Sequence, residues 1–124
     1  MTKQKLQAMS PAETEILRLV WQIGQATVQQ VCDHLPPRRN IAYKTVQTLL
    51  RRLEEKGYLR HKIKGKAYVF FPAVKREDVI KRTVLDFLDR LFAGDPRPLM
   101  QFLAEDGRID AEDIERLKKL IEKE

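Results

Sequence analysis

The hydrophobic period of this chain changes at Gly57, and no other feature constrains its fold as tightly. Up to Gly57, apolar residues recur at three- and four-residue spacing, as in helices packed on one side. Beyond it they alternate with charged residues, as in strands. Ser10 is suited to cap a first helix, with Pro11 at its first position and Glu13 placed for a capping box. Ile16, Leu17, Val20 and Trp21 follow at helical spacing, and Gly24 stops the run. Thr27, with Gln30 three residues on, caps a second helix. Its apolar face is Val28, Val31 and Leu35, and Pro36-Pro37 ends it. A polar basic loop, Arg38-Arg39-Asn40, leads into a third helix over about 42–56, stopped by Gly57.

After Gly57, Leu59 and Ile63 point to one side and Arg60, Lys62 and Lys64 to the other. Lys64-Gly65-Lys66 reads as a hairpin turn, and residues 67–71, rich in β-branched and aromatic side chains, as the returning strand. Pro72 closes the unit. Three short helices followed by a hairpin with a basic tip is the layout of a winged helix-turn-helix.

The second half is helical throughout. A helix over about 75–93 carries Ile80, Val84, Phe87, Leu88 and Leu91, with Leu85 and Phe92 widening the stripe. Gly94-Asp95-Pro96 breaks it. A short helix follows over about 99–104, then a turn at Asp106-Gly107. Asp110 caps a last helix bearing Ile114, Leu117, Leu120 and Ile121. The expected fold is mainly α with a small β-hairpin wing. Residues 1–73 form a winged-helix domain and 74–124 a three-helix dimerisation region. Charged residues make up 34% of the chain, above the usual quarter, which leaves thin cores. About 50 residues in three thin helices bury little on their own. A second copy of the chain is the economical cover. Its interface would be Ile80, Val84, Phe87, Leu88, Leu91, Ile114, Leu117, Leu120 and Ile121.

Charge divides the same way. Residues 1–73 carry 13 Lys and Arg against 5 Asp and Glu, a net +8, whereas 74–124 carry 11 against 13, a net −2. Within 38–66 there are 10 basic and 2 acidic residues. Such a block suits a polyanion. On the third helix, Val46, Leu49, Leu50 and Leu53 form a stripe, and Lys44, Thr45, Thr48, Arg51 and Arg52 lie opposite with Gln47 on the flank. A helix entering the major groove needs this mixture: Gln pairs adenine, Thr reaches phosphate or a thymine methyl, and Lys and Arg serve guanine or phosphate. The hairpin adds Arg60, Lys62, Lys64 and Lys66, and the preceding loop Arg38 and Arg39. Tyr43 and Tyr68 are placed either to touch the sugar-phosphate backbone or to pack.

Other chemistries find no support. One cysteine and two histidines rule out a disulfide framework and a Cys/His zinc module, so no metal or other cofactor is expected. No phosphate loop, nucleophile elbow or zinc-protease motif occurs, and the chain is not expected to be an enzyme. Cys32-Asp33-His34 reads as a buried thiol beside two solvent-facing residues. Glu54-Glu55 reads as intrahelical ion pairing with Arg51 and Arg52. His61, inside the hairpin, is placed to touch a phosphate or to fill structure. No run approaches 18 apolar residues, and the opening MTKQKLQAMS lacks the apolar stretch of a signal peptide. The expected compartment is the cytoplasm, with no membrane partner.

The segments SPAETEILRLVW, TVQQVCDHL, AYKTVQTLLRRLEEKGYL and GKAYVFFPAV resemble the penicillinase-repressor family, the BlaI/MecI/CopY group. The tail, REDVIKRTVLDFLDRLFAGDPRPLMQFL and DAEDIERLKKLIEK, is similar to that family too. KTVQTLLRRLEEKG is the most specific stretch. The resemblance implies a transcriptional repressor that binds a palindromic operator in double-stranded DNA as a homodimer. It implies a recognition helix over 43–56 with Lys44, Thr45, Gln47 and Thr48 at the DNA. In antibiotic-responsive members a membrane sensor-protease pathway ends in cleavage within the C-terminal half. The bond Gln101-Phe102 resembles that position, against a reading of Phe102 as a core residue of the short helix. The copper-responsive branch carries a cysteine-rich C-terminal motif, and this chain has no cysteine after Cys32. The alternative to a repressor of this kind is a MarR-like winged-helix regulator that senses a small ligand in an apolar pocket.

Overall fold

The computed structural model describes residues 6–122; residues 1–5, the first half of the opening stretch MTKQKLQAMS, and residues 123–124 lie outside the described residues. The chain divides into two compact units, Met1–Ile80 and Lys81–Glu124.

The first unit holds α1 (Pro11–Ile23), α2 (Val28–His34), α3 (Tyr43–Glu55), β1 (Leu59–Lys64), β2 (Ala67–Pro72) and the start of α4 (Arg76–Phe92). Both expected capping boxes form. The Glu13 amide donates to Ser10 Oγ at 3.1 Å while the Ser10 amide donates to the Glu13 carboxylate at 2.7 Å. Gln30 and Thr27 repeat the exchange at 3.2 and 2.9 Å. The apolar stripes these caps orient converge on one core: Ile16, Leu17 and Val20 from α1, Val31 from α2, Val46, Leu50 and Leu53 from α3, and Leu59 and Phe70 from the hairpin. Each fully buried aliphatic side chain stabilises the unit by about 1.5–3 kcal/mol.

The strands pair antiparallel from Leu59↔Pro72 to Lys64↔Ala67, turning at Gly65-Lys66. Gly65 takes φ 65°, a conformation that side-chain-bearing residues resist. At its base the hairpin is tied to the α1–α2 loop, where the Ala26 and Phe70 amides each donate to the other's carbonyl at 2.9 and 2.8 Å. Ile63, on the same side as buried Leu59, is 65% exposed. The hairpin tip extends past the helices that cover its base, so alternation there has no core to face.

The first unit continues to Ile80, seven residues beyond the 73/74 division read from the sequence. The reason is Val79, which is 2% exposed and belongs to the first core. The second unit holds the rest of α4, α5 (Arg97–Glu105) and α6 (Ala111–Glu122). Positive φ at Ala93 and Gly94 ends α4. α5 starts two residues earlier than expected because Pro98 suits a first turn and the Asp95 carboxylate accepts the Arg97 amide at 3.1 Å. Asp110 caps α6 as expected, accepting the Asp113 amide at 2.8 Å. Neither α5 nor α6 buries a residue.

Candidate nucleic-acid interface

α3 owes its two faces to its spacing. Val46, Leu49, Leu50 and Leu53 are buried, which turns Tyr43, Lys44, Thr45, Arg51 and Arg52 outward and leaves Gln47 and Thr48 half-buried at the boundary. Lys44, Thr45, Thr48, Leu49 and Arg52 line a shallow open groove. The Thr48 hydroxyl donates to the Lys44 carbonyl at 3.0 Å. Its proton is engaged inside the helix, so toward a ligand Thr48 presents a methyl group and an acceptor. Tyr43 is half-exposed, and Tyr68, also half-exposed, stacks on His61.

The electrostatics of this face are distinctive. Among the described residues, Arg38, Lys44, Arg51, Arg52, Arg60, Lys62, Lys64 and Lys66 have no carboxylate within ion-pairing distance. The cations beside them are engaged. Arg39 meets Glu15 in a forked pair at 2.7 and 3.1 Å, which braces the α2–α3 loop on α1 and holds the guanidinium firmly protonated. Lys56 donates to Glu13 at 2.7 Å and to the Ala8 carbonyl at 2.9 Å. Glu13 is 2% exposed. Burial raises its carboxyl pKa, but hydrogen bonds from Lys56 and Ser10 outweigh it and leave the group below the ordinary value. Tyr58 donates its hydroxyl to the Gln7 carbonyl, and burial with the Glu13 charge pushes its pKa up.

The expected pairing of Glu54 with Arg51 and Arg52 does not form. The Glu54 carboxylate takes His61 instead, whose Nδ1 lies 2.6 and 2.8 Å from its two oxygens. The two residues sit on different elements, and no spacing in the sequence links them. Cys32 packs against the core. It is only partly buried, and burial, then the Asp33 charge, push its thiol pKa up, which disfavours the nucleophilic thiolate. His34 and Asp33 face solvent, bonded to Gln30 and Gln29 of their own helix.

In the second unit the residues expected at a dimer interface lie uncovered. Val84, Phe87, Leu91, Ile114 and Leu117 are exposed, Leu88 is half-buried, and Leu120 and Ile121 are 64% and 74% exposed. Ile80, exposed as well, falls at the end of the first unit. Gln101 and Phe102 sit inside α5, where Phe102 is 59% exposed and Gln101 donates to Glu105 at 3.1 Å. No helix among the described residues is long and apolar enough to cross a membrane.

The profile of a family described as "Penicillinase repressor" matches residues 9–123. The chain belongs to the penicillinase-repressor family. It is 28% identical over 119 residues to the penicillinase repressor of Bacillus licheniformis, spanning 96% of this chain and 93% of that one. The solution structure of the DNA-binding domain of the repressor BlaI superposes with a TM-score of 0.53 at 30% identity, covering 61% of this chain and 93% of that chain. The monomeric form of Bacillus licheniformis BlaI in complex with the blaP half-operator matches with a TM-score of 0.51 at 31% identity, covering 60% and 90%. Membership in this family fits the six helices and two-stranded hairpin described above and gives no support to an enzyme.

Proposed function

We propose that this chain is a sequence-specific DNA-binding transcriptional repressor that works as a homodimer on a palindromic operator. One observation carries the reading: the uncompensated cations of α3, the preceding loop and the hairpin gather on a winged helix of the penicillinase-repressor family. Cations held by neighbouring carboxylates are neutralised within the fold, whereas unpaired ones exchange condensed counterions for phosphates. α3 enters the major groove. There Gln47 pairs adenine through its amide, Lys44 and Thr45 reach guanine or phosphate, and Thr48 offers its methyl to thymine. Arg60, Lys62, Lys64 and Lys66 position the hairpin on the backbone. Arg39 braces its loop through Glu15.

The uncovered apolar stripes of α4 and α6 support dimerisation through the second unit. Two linked half-site binders hold each other at high effective concentration. Separating them empties the operator, so cleavage at the exposed Gln101-Phe102 bond, at the end of a sensor-protease pathway, is a route to release. The first test is a gel shift at physiological salt on a randomised duplex pool. Enrichment of a palindromic site is expected. Absence of any shifted species overturns the DNA-binding reading.

A further inference from the structure

The two DNA-facing elements, α3 and the hairpin, are joined by one polar contact among the described residues: Glu54 of α3 with His61 of β1. A two-stranded sheet on its own is marginally stable, so its direction must be set by what it leans on. The base leans on the core through Leu59 and Phe70. The distal half has no such support, with Ile63 and Tyr68 largely uncovered. His61 stands between the two halves. Its ring lies parallel to Tyr68 of β2, with centroids 4.2 Å apart and planes 8° apart, and tilts onto Phe70 at 5.8 Å. A carboxylate has no proton to give, so the His61 Nδ1–H donates to Glu54. Both side chains are 29% exposed, which shields the pair from much of the screening a surface pair meets.

We infer that His61 is a positioning residue: anchored by Glu54 and stacked on Tyr68, it sets the angle of the hairpin to the recognition helix and so aims the hairpin cations at the phosphates. This rests on the DNA-binding reading above. It explains why a carboxylate is tolerated inside the basic face. Glu54 repels the DNA it sits near, and a charge serving no purpose there lowers affinity.

That repulsion provides the test. The probe is the duplex that the wild-type chain enriches from a randomised pool, and affinity is read across a salt series, well below the melting temperature of each variant. If Glu54 is merely a charge, Glu54→Ala tightens binding. Positioning predicts the reverse: affinity falls roughly tenfold, and the log-log salt slope flattens by about 0.9 for each phosphate the hairpin no longer reaches. Glu54→Gln removes the charge but keeps an acceptor for His61, and it is expected to bind at least as tightly as wild type. His61→Ala matches Glu54→Ala, and the double variant loses no more than either single one. If His61→Ala melts too low to assay, His61→Phe keeps the ring over Tyr68 without the donor and carries the same expectation. Glu54→Ala binding as well as wild type, or a double variant losing the sum of both, overturns the inference. A wild-type chain that enriches no duplex overturns the DNA-binding reading instead.

Discussion

The two units of this chain treat the same materials in opposite ways. In the first, apolar stripes are covered and, among the described residues, many basic side chains of α3 and the hairpin have no carboxylate within ion-pairing distance. In the second, the apolar stripes are uncovered and the charges are largely matched. There Arg90, Arg97, Arg108 and Arg116 each hold a carboxylate within their own or the adjacent turn. Bare apolar surface is costly in water and bare cations are costly beside one another, so each unit lacks what a different partner supplies. On the proposed function, a polyanion completes the first and a hydrophobic face like its own completes the second.

The largest effect that breaks this comparison is a charge placed on the second unit's stripe. Leu117→Asp buries an unpaired carboxylate in any interface there. Sedimentation is expected to show monomers, and operator affinity to fall by on the order of 10² to 10⁴ as the linkage of half-sites is lost. A dimeric Leu117→Asp chain would place the interface elsewhere.

Glu13→Gln probes the one buried charge of the first unit among the described residues. It leaves the Lys56 ammonium without its counterion, at a cost of about 1–3 kcal/mol in thermal or urea melts. The pH dependence follows from the lowered carboxyl pKa. The folded value lies below the ordinary 4.5, so the stabilisation is complete above that range and is lost as pH falls through the folded value. Melting temperature of the wild type is expected to drop below pH 4.5, while Glu13→Gln loses this part of the dependence.

Gln47→Ala addresses the recognition helix alone. Operator binding is expected to weaken by about 1–3 kcal/mol, with little change on random duplex. Equal losses on both would assign Gln47 to phosphate positioning.

The comparison was partly legible in the sequence. The caps at Ser10 and Thr27, the stop at Gly57 and the change of period beyond it are local signals, and the elements form where those signals fall. The charge imbalance was legible too, because counting needs no geometry. What escaped was pairing across distance. Arg39 finds Glu15 across 24 residues and Lys56 finds Glu13 across 43, pairs that exist only after the helices pack. Arg39 therefore read as a free cation and Glu13 as a capping residue alone. Glu54 lies on a helix beside Arg51, where helical spacing favoured a local pair, but the hairpin folds back and His61 takes it. Val79 lies in the stretch 74–124 assigned to the second domain, and packing places it in the first core.

The division of labour is tested most directly by the salt dependence of operator binding, measured on the intact chain and on a fragment ending at residue 80. If each first unit neutralises four or five phosphates, the intact dimer is expected to give a log-log slope of about −7 to −9 and the fragment, bound to a half-site, about half that. Lys64→Ala and Lys66→Ala should each flatten the slope by about 0.9 per protomer and leave sequence preference unchanged. A slope near zero, or a fragment that binds the full operator with the slope of the intact chain, would contradict the account.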